Sequence, residues 1–258
     1  MWTRAQLKEN GKIAFKRNFW TCIAACLLVG FLGGESYGAV VSSGFSQSTV
    51  EVEELEHSIS GISQQQLLFV GTVLLVVLGV TMILTLALRI LVGNIMTVGG
   101  RRYFMENRQH RTEISQVFYG FRNGRYSHVV WTMFLRGLYT SLWSLLFFIP
   151  GIIKSYSYMM VPYILAENPH MDANRAITLS RKMMDGHKAE AFVIGLSFIG
   201  WNLLGILTVG ILNIVYVNPY INATYAEFYA AVKGEAIYKG LAAPEELPGF
   251  YEEKSFNL

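Results

Sequence analysis

Few residues in this apolar chain have the chemistry to act inside a hydrophobic setting. Arg89, Arg136, Glu190 and Glu227 each fall within or beside a long hydrophobic run. An ionisable group left unpaired in hydrocarbon costs about 2.5–3.5 kcal/mol on insertion scales, so it pairs, lines a polar cavity or reaches back to the interface. Arg89, Arg136, Asn218 and Glu227 are the candidate polar cavity, with an arginine expected to pair with Glu227 or Glu190. The competing reading has the arginines snorkelling and the glutamates sitting at the interface. Asn94, Asn202, Asn213, Asn218 and Asn222 add amides that bond between helices at roughly 0.6 kcal/mol each, or contact a polar substrate. Pro162 and Pro219 each lack the N–H that a helix requires and so free a backbone carbonyl.

Catalytic constellations are missing from the sequence. His57, His110, His128, His170 and His187 lie in loops or at expected helix ends, and none forms the His-Glu-x-x-His arrangement that sets two rings on one helical face around zinc. No Walker-type glycine loop and no Gly-x-Ser-x-Gly elbow occurs. Cys22 and Cys26 share one face of an apolar helix, where diverging Cβ directions disfavour a disulfide and no further metal ligands are at hand, so both are assigned to packing. The expectation is a non-enzymatic protein without metal or cofactor.

The chain that must position these residues is 52% hydrophobic and 15% charged, where soluble proteins average about 25% charged. This composition indicates a multi-pass membrane protein of a single domain. Charge placement supplies orientation. No Lys or Arg occurs between Asn18 and Leu88, while Glu51, Glu53, Glu54 and Glu56 fall there. Arg101, Arg102, Arg108, Arg111, Arg122 and Arg125 then follow in quick succession. By the positive-inside rule residues 42–66 are an exterior loop, the arginine-rich loop is cytoplasmic, and both termini are cytoplasmic.

Six spans are expected at about 19–41, 67–92, 129–149, 152–166, 190–209 and 211–231, as three hairpins within a membrane domain of residues 1–240. A mobile acidic tail, 241–258, follows. Continuous apolar runs favour helices over a barrel wall, which would alternate. Pro150-Gly151 and Thr208-Val209-Gly210 are the expected exterior turns, with Lys154 near the first, tolerated through its long stem. The competing reading of the first run is a cleaved signal peptide, although the capped helix ahead of it is unlike a usual basic leader.

An amphipathic helix is expected before each hairpin. Thr3 and Gln6 form a capping box, with Trp2 and Leu7 as a hydrophobic staple, ahead of Leu7, Gly11, Ala14 and Phe15 at helical spacing and a basic face of Lys8, Lys12, Lys16 and Arg17. Ile114, Val117, Phe118 and Phe121 repeat the pattern behind Thr112-Glu113. Asp172 caps a third helix that sets Ala173, Ala176, Ile177, Ser180, Met183 and Met184 on one face, opposite Arg175, Arg181 and Lys182. The breaks between surface helix and span fall at Asn18-Phe19, Asn123-Gly124-Arg125-Tyr126 and Asp185-Gly186-His187-Lys188. The second spans also rhyme, in Val92-Gly93-Asn94-Ile95, Val161-Pro162-Tyr163-Ile164 and Val217-Asn218-Pro219-Tyr220-Ile221. A threefold repeat in one orientation, about an axis along the membrane normal, follows from this order.

Several of these strings carry a family likeness. Met1-Trp2-Thr3-Arg4 with Lys16-Arg17-Asn18-Phe19-Trp20, Ile149-Pro150-Gly151-Ile152-Ile153, Tyr163-Ile164-Leu165-Ala166-Glu167-Asn168-Pro169, Asp185-Gly186-His187-Lys188, Leu196-Ser197-Phe198-Ile199-Gly200-Trp201 and Asn218-Pro219-Tyr220 resemble the bacterial integral-membrane family catalogued as domain of unknown function nine-seven-five. The resemblance runs over nearly the whole chain. It implies a multi-pass protein of the bacterial cytoplasmic membrane, mostly in Gram-positive organisms, and brings no activity or catalytic residues with it.

Function is then expected from the collar. Arg108, Arg111, Arg122, Arg125, Arg175, Arg181 and Lys182 are placed to contact anionic lipid or a protein partner, making the chain a membrane scaffold or accessory. Nucleic acid is not expected, because arginines beside spans are explained by orientation. The alternative is a small transporter or exporter component using the Arg89, Arg136, Asn218 and Glu227 cavity.

Overall fold

A computed structural model describes residues 2–32, 63–122 and 124–249, and these residues form helices and turns without a strand. The acidic loop, the end of the first expected span, Asn123 and the last part of the tail lie outside the described residues. Helix α1 (Arg4–Arg17) starts with the capping box read from the sequence, Thr3 and Gln6 each satisfying the other's backbone N–H. It stops at Asn18, and α2 (Phe19–Leu32) leaves at 99° to it. The Asn18 amide fixes that corner by donating to Thr112 O at 2.8 Å and to the Tyr103 hydroxyl at 3.3 Å.

The next helix, α3 (Gln64–Leu88), passes through a π-helical turn at Arg89–Gly93 into α4 (Asn94–Asn107), giving one continuous rod of 44 residues. Its two ends differ. Along α3 nearly every described side chain is exposed and almost all are apolar, with Thr72, Thr81 and Thr85 satisfying their hydroxyls on carbonyls one turn back. Past the π turn, Ile95, Met96, Val98, Tyr103, Phe104 and Met105 are buried.

The segment after α4 corrects the second amphipathic helix. Ile114–Phe118 is a 3-10 helix behind Glu113 as N-cap, continued for one α turn as α5 (Tyr119–Arg122), and it packs Val117 and Gly120 against α4 rather than lying free. A hairpin follows, α6 (Tyr126–Leu146) and α7 (Phe148–Ser157). Its turn is Phe147, in extended geometry, and not Pro150-Gly151, which lie inside α7. Proline is tolerated there because the first N–H groups of a helix have no internal partner. Gly151 lets the two helices touch, since a Cβ at this position would stand 2.7 Å from Ser144 Cα. Lys154 lies 4.5 Å over the Trp143 ring at this tip.

A non-helical turn at residues 158–160 separates α7 from α8 (Val161–Glu167), which has Pro162 in its first turn. Helix α9 (Ala173–Met183) matches its expectation closely. Asp172 Oδ2 accepts from the Asn174 and Arg175 N–H groups, all six expected positions are buried, and Arg181 and Lys182 are exposed. Helices α10 (Lys188–Leu196) and α11 (Ile199–Leu207) lead to a turn at residues 208–210, where Val209 (φ 53°) and Gly210 (φ 82°) are left-handed. After a second π turn at Asn213–Val217, α12 (Asn218–Tyr238) completes the fold.

The core sits where α1, α4, α8, α9 and α12 meet, around Phe15, Tyr103, Tyr163, Phe198, Phe228 and Tyr229. Helix α1 runs antiparallel to α12: Trp2 meets Phe228 edge-on at 5.7 Å, Gly11 abuts Thr224, and Phe15 meets Tyr216 at 5.6 Å. A side chain buried as fully as Phe15 contributes about 1.5–3 kcal/mol. The apolar face of α1 is therefore covered by protein, while Lys16 and Arg17 of its basic face are exposed. Exposed large apolar residues concentrate instead on α2, on α3, at the α6–α7 tip and around the 208–210 turn. A soluble surface does not carry such areas.

Among the described residues two helices are long and apolar enough to cross a membrane, residues 64–107 and 188–207, with α1 and α2 adding a third if that bent pair is one span. The stretch expected as a span at 129–149 falls on α6 and the start of α7, that at 152–166 is divided between α7 and α8, and that at 211–231 ends within α12; none of these helices meets the same measure of length and hydropathy. Part of the tail also departs from expectation: Leu247 is buried, and Asn168 Nδ2 donates to Glu246 O at 3.1 Å, so residues 241–249 are docked on α9 and the turn before it.

Candidate functional site

The three rhyming strings of the second spans coincide with backbone irregularities: π turns ending at Gly93 and Val217, and the 158–160 turn just before Val161. In the middle case the irregularity places an arginine. Pro162 has no N–H for the carbonyl of Tyr158, which accepts from the Val161 N–H at 3.3 Å and from the Arg136 Nε at 3.1 Å.

Arg136 and Arg89 line one cavity of ≈ 410 Å³, with Asn94, Thr97 and Ser141 as its other polar side chains. Leu86, Ile90, Phe134 and Leu138 supply apolar walls, and no acidic side chain is among the described residues that line it. Asn218 and Glu227 are elsewhere, so the four residues expected to form one cavity divide two and two. Buried Asn218 accepts through its carbonyl from Asn222 Nδ2 at 2.9 Å, and Asn222 Oδ1 takes a short bond from Arg101. Glu227 pairs with Arg108, Nε to Oε1 at 2.8 Å and Nη2 to Oε2 at 2.9 Å. Glu190 meets His187 Nδ1 at 2.8 Å, and the same ring reaches Glu235 through Nε2 at 3.1 Å. Neither glutamate pairs with Arg89 or Arg136 in the way the sequence suggested.

Glu227 belongs to a set that the sequence reading missed. Phe104-Met105-Glu106 and Leu165-Ala166-Glu167 stand at the C-terminal ends of α4 and α8, and Tyr225-Ala226-Glu227 within α12. The three carboxylate side chains are 6%, 4% and 9% exposed. Each holds a cation: Arg102 Nε at 2.8 Å on Glu106, Lys233 Nζ at 2.9 Å from both oxygens of Glu167, and Arg108 on Glu227. Desolvated carboxylates require such partners. Arg108, Lys233 and Glu167 line a second cavity of ≈ 250 Å³ with Tyr229. The available signal was the small or apolar residue followed by Glu, recurring once per second span.

The collar divides as well. Arg108 is taken by Glu227, and Arg175 grips Glu246 through Nε–Oε1 at 2.9 Å and Nη2–Oε2 at 2.7 Å. Arg175, together with the Ala243 N–H, pulls the Glu246 carboxyl down to about 2. Arg111, Arg122, Arg125, Arg181 and Lys182 remain exposed. The cysteines are free thiols: Cys22 is buried and receives the Tyr103 hydroxyl at 3.6 Å, while Cys26 is half-buried.

Among the described residues these features define an all-α protein with helices apolar enough for a membrane, whose polar side chains form ion-pair clusters and a cavity lined by two arginines. Residues 145–236 match the family described as "Protein of unknown function (DUF975)". That is the family whose likeness the sequence carries, over a shorter stretch: the match runs from the end of α6 into α12 and leaves out the strings at Met1–Arg4 and Lys16–Trp20. No curated protein and no solved structure matches the chain.

Proposed function

We propose that the chain is a multi-pass protein of the cytoplasmic membrane that acts without catalysis, as a scaffold or accessory holding anionic lipid or a protein partner on a basic cytoplasmic collar. In this reading it has six spans in three repeated units with both termini inside, the exposed apolar surfaces facing lipid and the buried core lying toward the cytoplasm. The observation that carries it is the division of the collar. Two of its seven cations are neutralised within the fold, whereas Arg111, Arg122, Arg125, Arg181 and Lys182 are exposed. Each such cation near an anionic surface contributes about 1 kcal/mol, screened by salt. The transporter alternative needs Arg89, Arg136, Asn218 and Glu227 around one passage, and their separation into different clusters favours the scaffold.

The test compares wild type with a variant in which those five exposed cations are changed to Gln. Both are reconstituted in mixed phosphatidylglycerol and phosphatidylcholine vesicles, extracted in lipid nanodiscs and analysed for co-extracted lipid. Wild type is expected to enrich phosphatidylglycerol in a salt-sensitive way and the variant to lose that enrichment. Equal enrichment, together with unchanged capture of soluble partners, removes the collar reading.

A further inference from the structure

We propose that the groove on α9 that holds residues 241–249 is a docking site for an acidic, leucine-bearing segment of a partner protein, and that the chain's own strap is its built-in competitor. The inference deepens the collar reading above and rests on it, since α9 carries Arg175, Arg181 and Lys182.

The strap itself shows what the groove recognises. Ala242 and Leu247 are buried and join the core cluster. Between them the Arg175 guanidinium holds both oxygens of Glu246, the charge-assisted and directional form of an arginine–carboxylate bond. The main chain is read as well: Arg175 Nη2 donates to Leu241 O at 2.9 Å, and Asn168 Nδ2 donates to Glu246 O at 3.1 Å. Ala243, Pro244 and Glu245 are exposed, so other residues fit in their places. Apolar anchors around one arginine-held acid, with the occupant's carbonyls bonded by the receptor, are the features of a peptide site. An anionic lipid headgroup satisfies Arg175 alone and leaves the two apolar places and the Asn168 amide unfilled.

The strap is also held in a way that permits exchange. Gly240 (φ 66°) ends α12 in a left-handed turn, the usual stop for a helix, and gives the strap a hinge. Beyond it the strap forms turns and neither helix nor strand. The side chains of Arg175 and Glu246 are each about a third exposed, so salt screens their pair.

Charge says what outcompetes it. A tethered segment acts at an effective concentration of about millimolar, so a partner must offer contacts that the strap lacks. Lys182 lies two helical turns from Arg175 on the same stripe of α9, with Arg181 beside it, and the strap leaves both exposed. A segment with further acidic residues engages them.

The experiment uses the full chain in a mild non-ionic detergent and a fluorescein-labelled peptide of the strap sequence, Leu241 to Gly249, with binding read by anisotropy. Glu246→Gln with Leu247→Ala opens the chain's own strap and leaves the groove intact; Glu246→Gln alone is the milder variant should the pair not fold, and fast hydrogen exchange at 241–249 confirms opening. The opened chain should bind the peptide at least about tenfold more tightly than wild type. Adding Arg175→Gln should remove that gain, and a peptide lacking the acid or the leucine should bind about tenfold less tightly. A peptide extended by glutamates should displace the strap of the wild-type chain, seen as faster exchange at 241–249, and should lose that advantage in the five-cation collar variant. Equal binding of a scrambled peptide, equal binding to wild type and opened chain, or no displacement by the extended peptide overturns the docking site. Salt-sensitive enrichment of phosphatidylglycerol would still leave the collar reading standing. Release of the peptide by phosphatidylglycerol in mixed micelles would assign the groove to lipid and overturn the peptide assignment. Dimers of the wild-type chain that Glu246→Gln dissolves would mean that straps are exchanged between copies, and the partner assignment falls.

Discussion

The two cavities hold the same kind of cation in opposite circumstances. In the smaller one, Arg108 and Lys233 are met by Glu227 and Glu167 from other segments of the chain, so their charge is spent on joining helices. In the larger one, Arg89 and Arg136 share a wall with Asn94, Thr97 and Ser141, and Arg136 Nε donates to Tyr158 O. The difference teaches that a cation near a membrane is read by what answers it. A carboxylate from a distant helix ties its cation into the fold, whereas a bond to a nearby carbonyl orients the side chain locally.

The comparison is broken most directly at the smaller cavity. Glu227→Ala leaves the half-buried Arg108 without its carboxylate and should cost about 2–3 kcal/mol, read as a lowered thermal midpoint in detergent; a loss below about 1 kcal/mol would mean that the pair does not join the helices. Gly11→Leu, which forces a side chain into the backbone of Thr224 on the helix that carries Glu227, should cost about 1–3 kcal/mol and loosen α1. The tail gives a smaller, pH-dependent effect. Glu246 ionises in the folded protein at about 2 instead of its ordinary 4.5. A lowered carboxyl pKa contributes stability that is complete above 4.5 and is lost as pH falls toward 2. Hydrogen exchange in residues 241–249 should therefore speed up across that window, and Arg175→Gln should make it fast already at pH 7. The smallest effect is expected at the larger cavity: Arg89→Gln should change the lipid-free thermal midpoint by no more than about 0.5 kcal/mol equivalent, because the position is exposed.

Local signals in the sequence were readable wherever they depended on near neighbours. Asp172 as a cap, the apolar face of α9, the Thr3–Gln6 box and the turn at residues 208–210 all stand as expected. Two local patterns were ambiguous for physical reasons. Ile114, Val117 and Phe118 at spacings of three and four suit an α-helix, but a spacing of three is also the period of a 3-10 helix, which is what forms. Pro150 suits a turn and the first turn of a helix equally, and the chain uses it in the second way. The pairings were not readable, because Arg108 and Glu227 stand 119 residues apart and nothing in either neighbourhood names the other. The docked tail escaped for the same reason: acidic composition suggests mobility until Arg175, 71 residues away, is seen to hold Glu246.

The bond between Arg136 and Tyr158 makes helix start and cation placement a single competition for one acceptor. With proline at 162 that residue offers no N–H, and the oxygen is shared between the Arg136 side chain and the Val161 N–H, which reaches it at 3.3 Å. An alanine there would restore the rival donor, and a double-mutant cycle between Pro162→Ala and Arg136→Lys should return non-additive stabilities, the mark of two residues that share an atom belonging to neither.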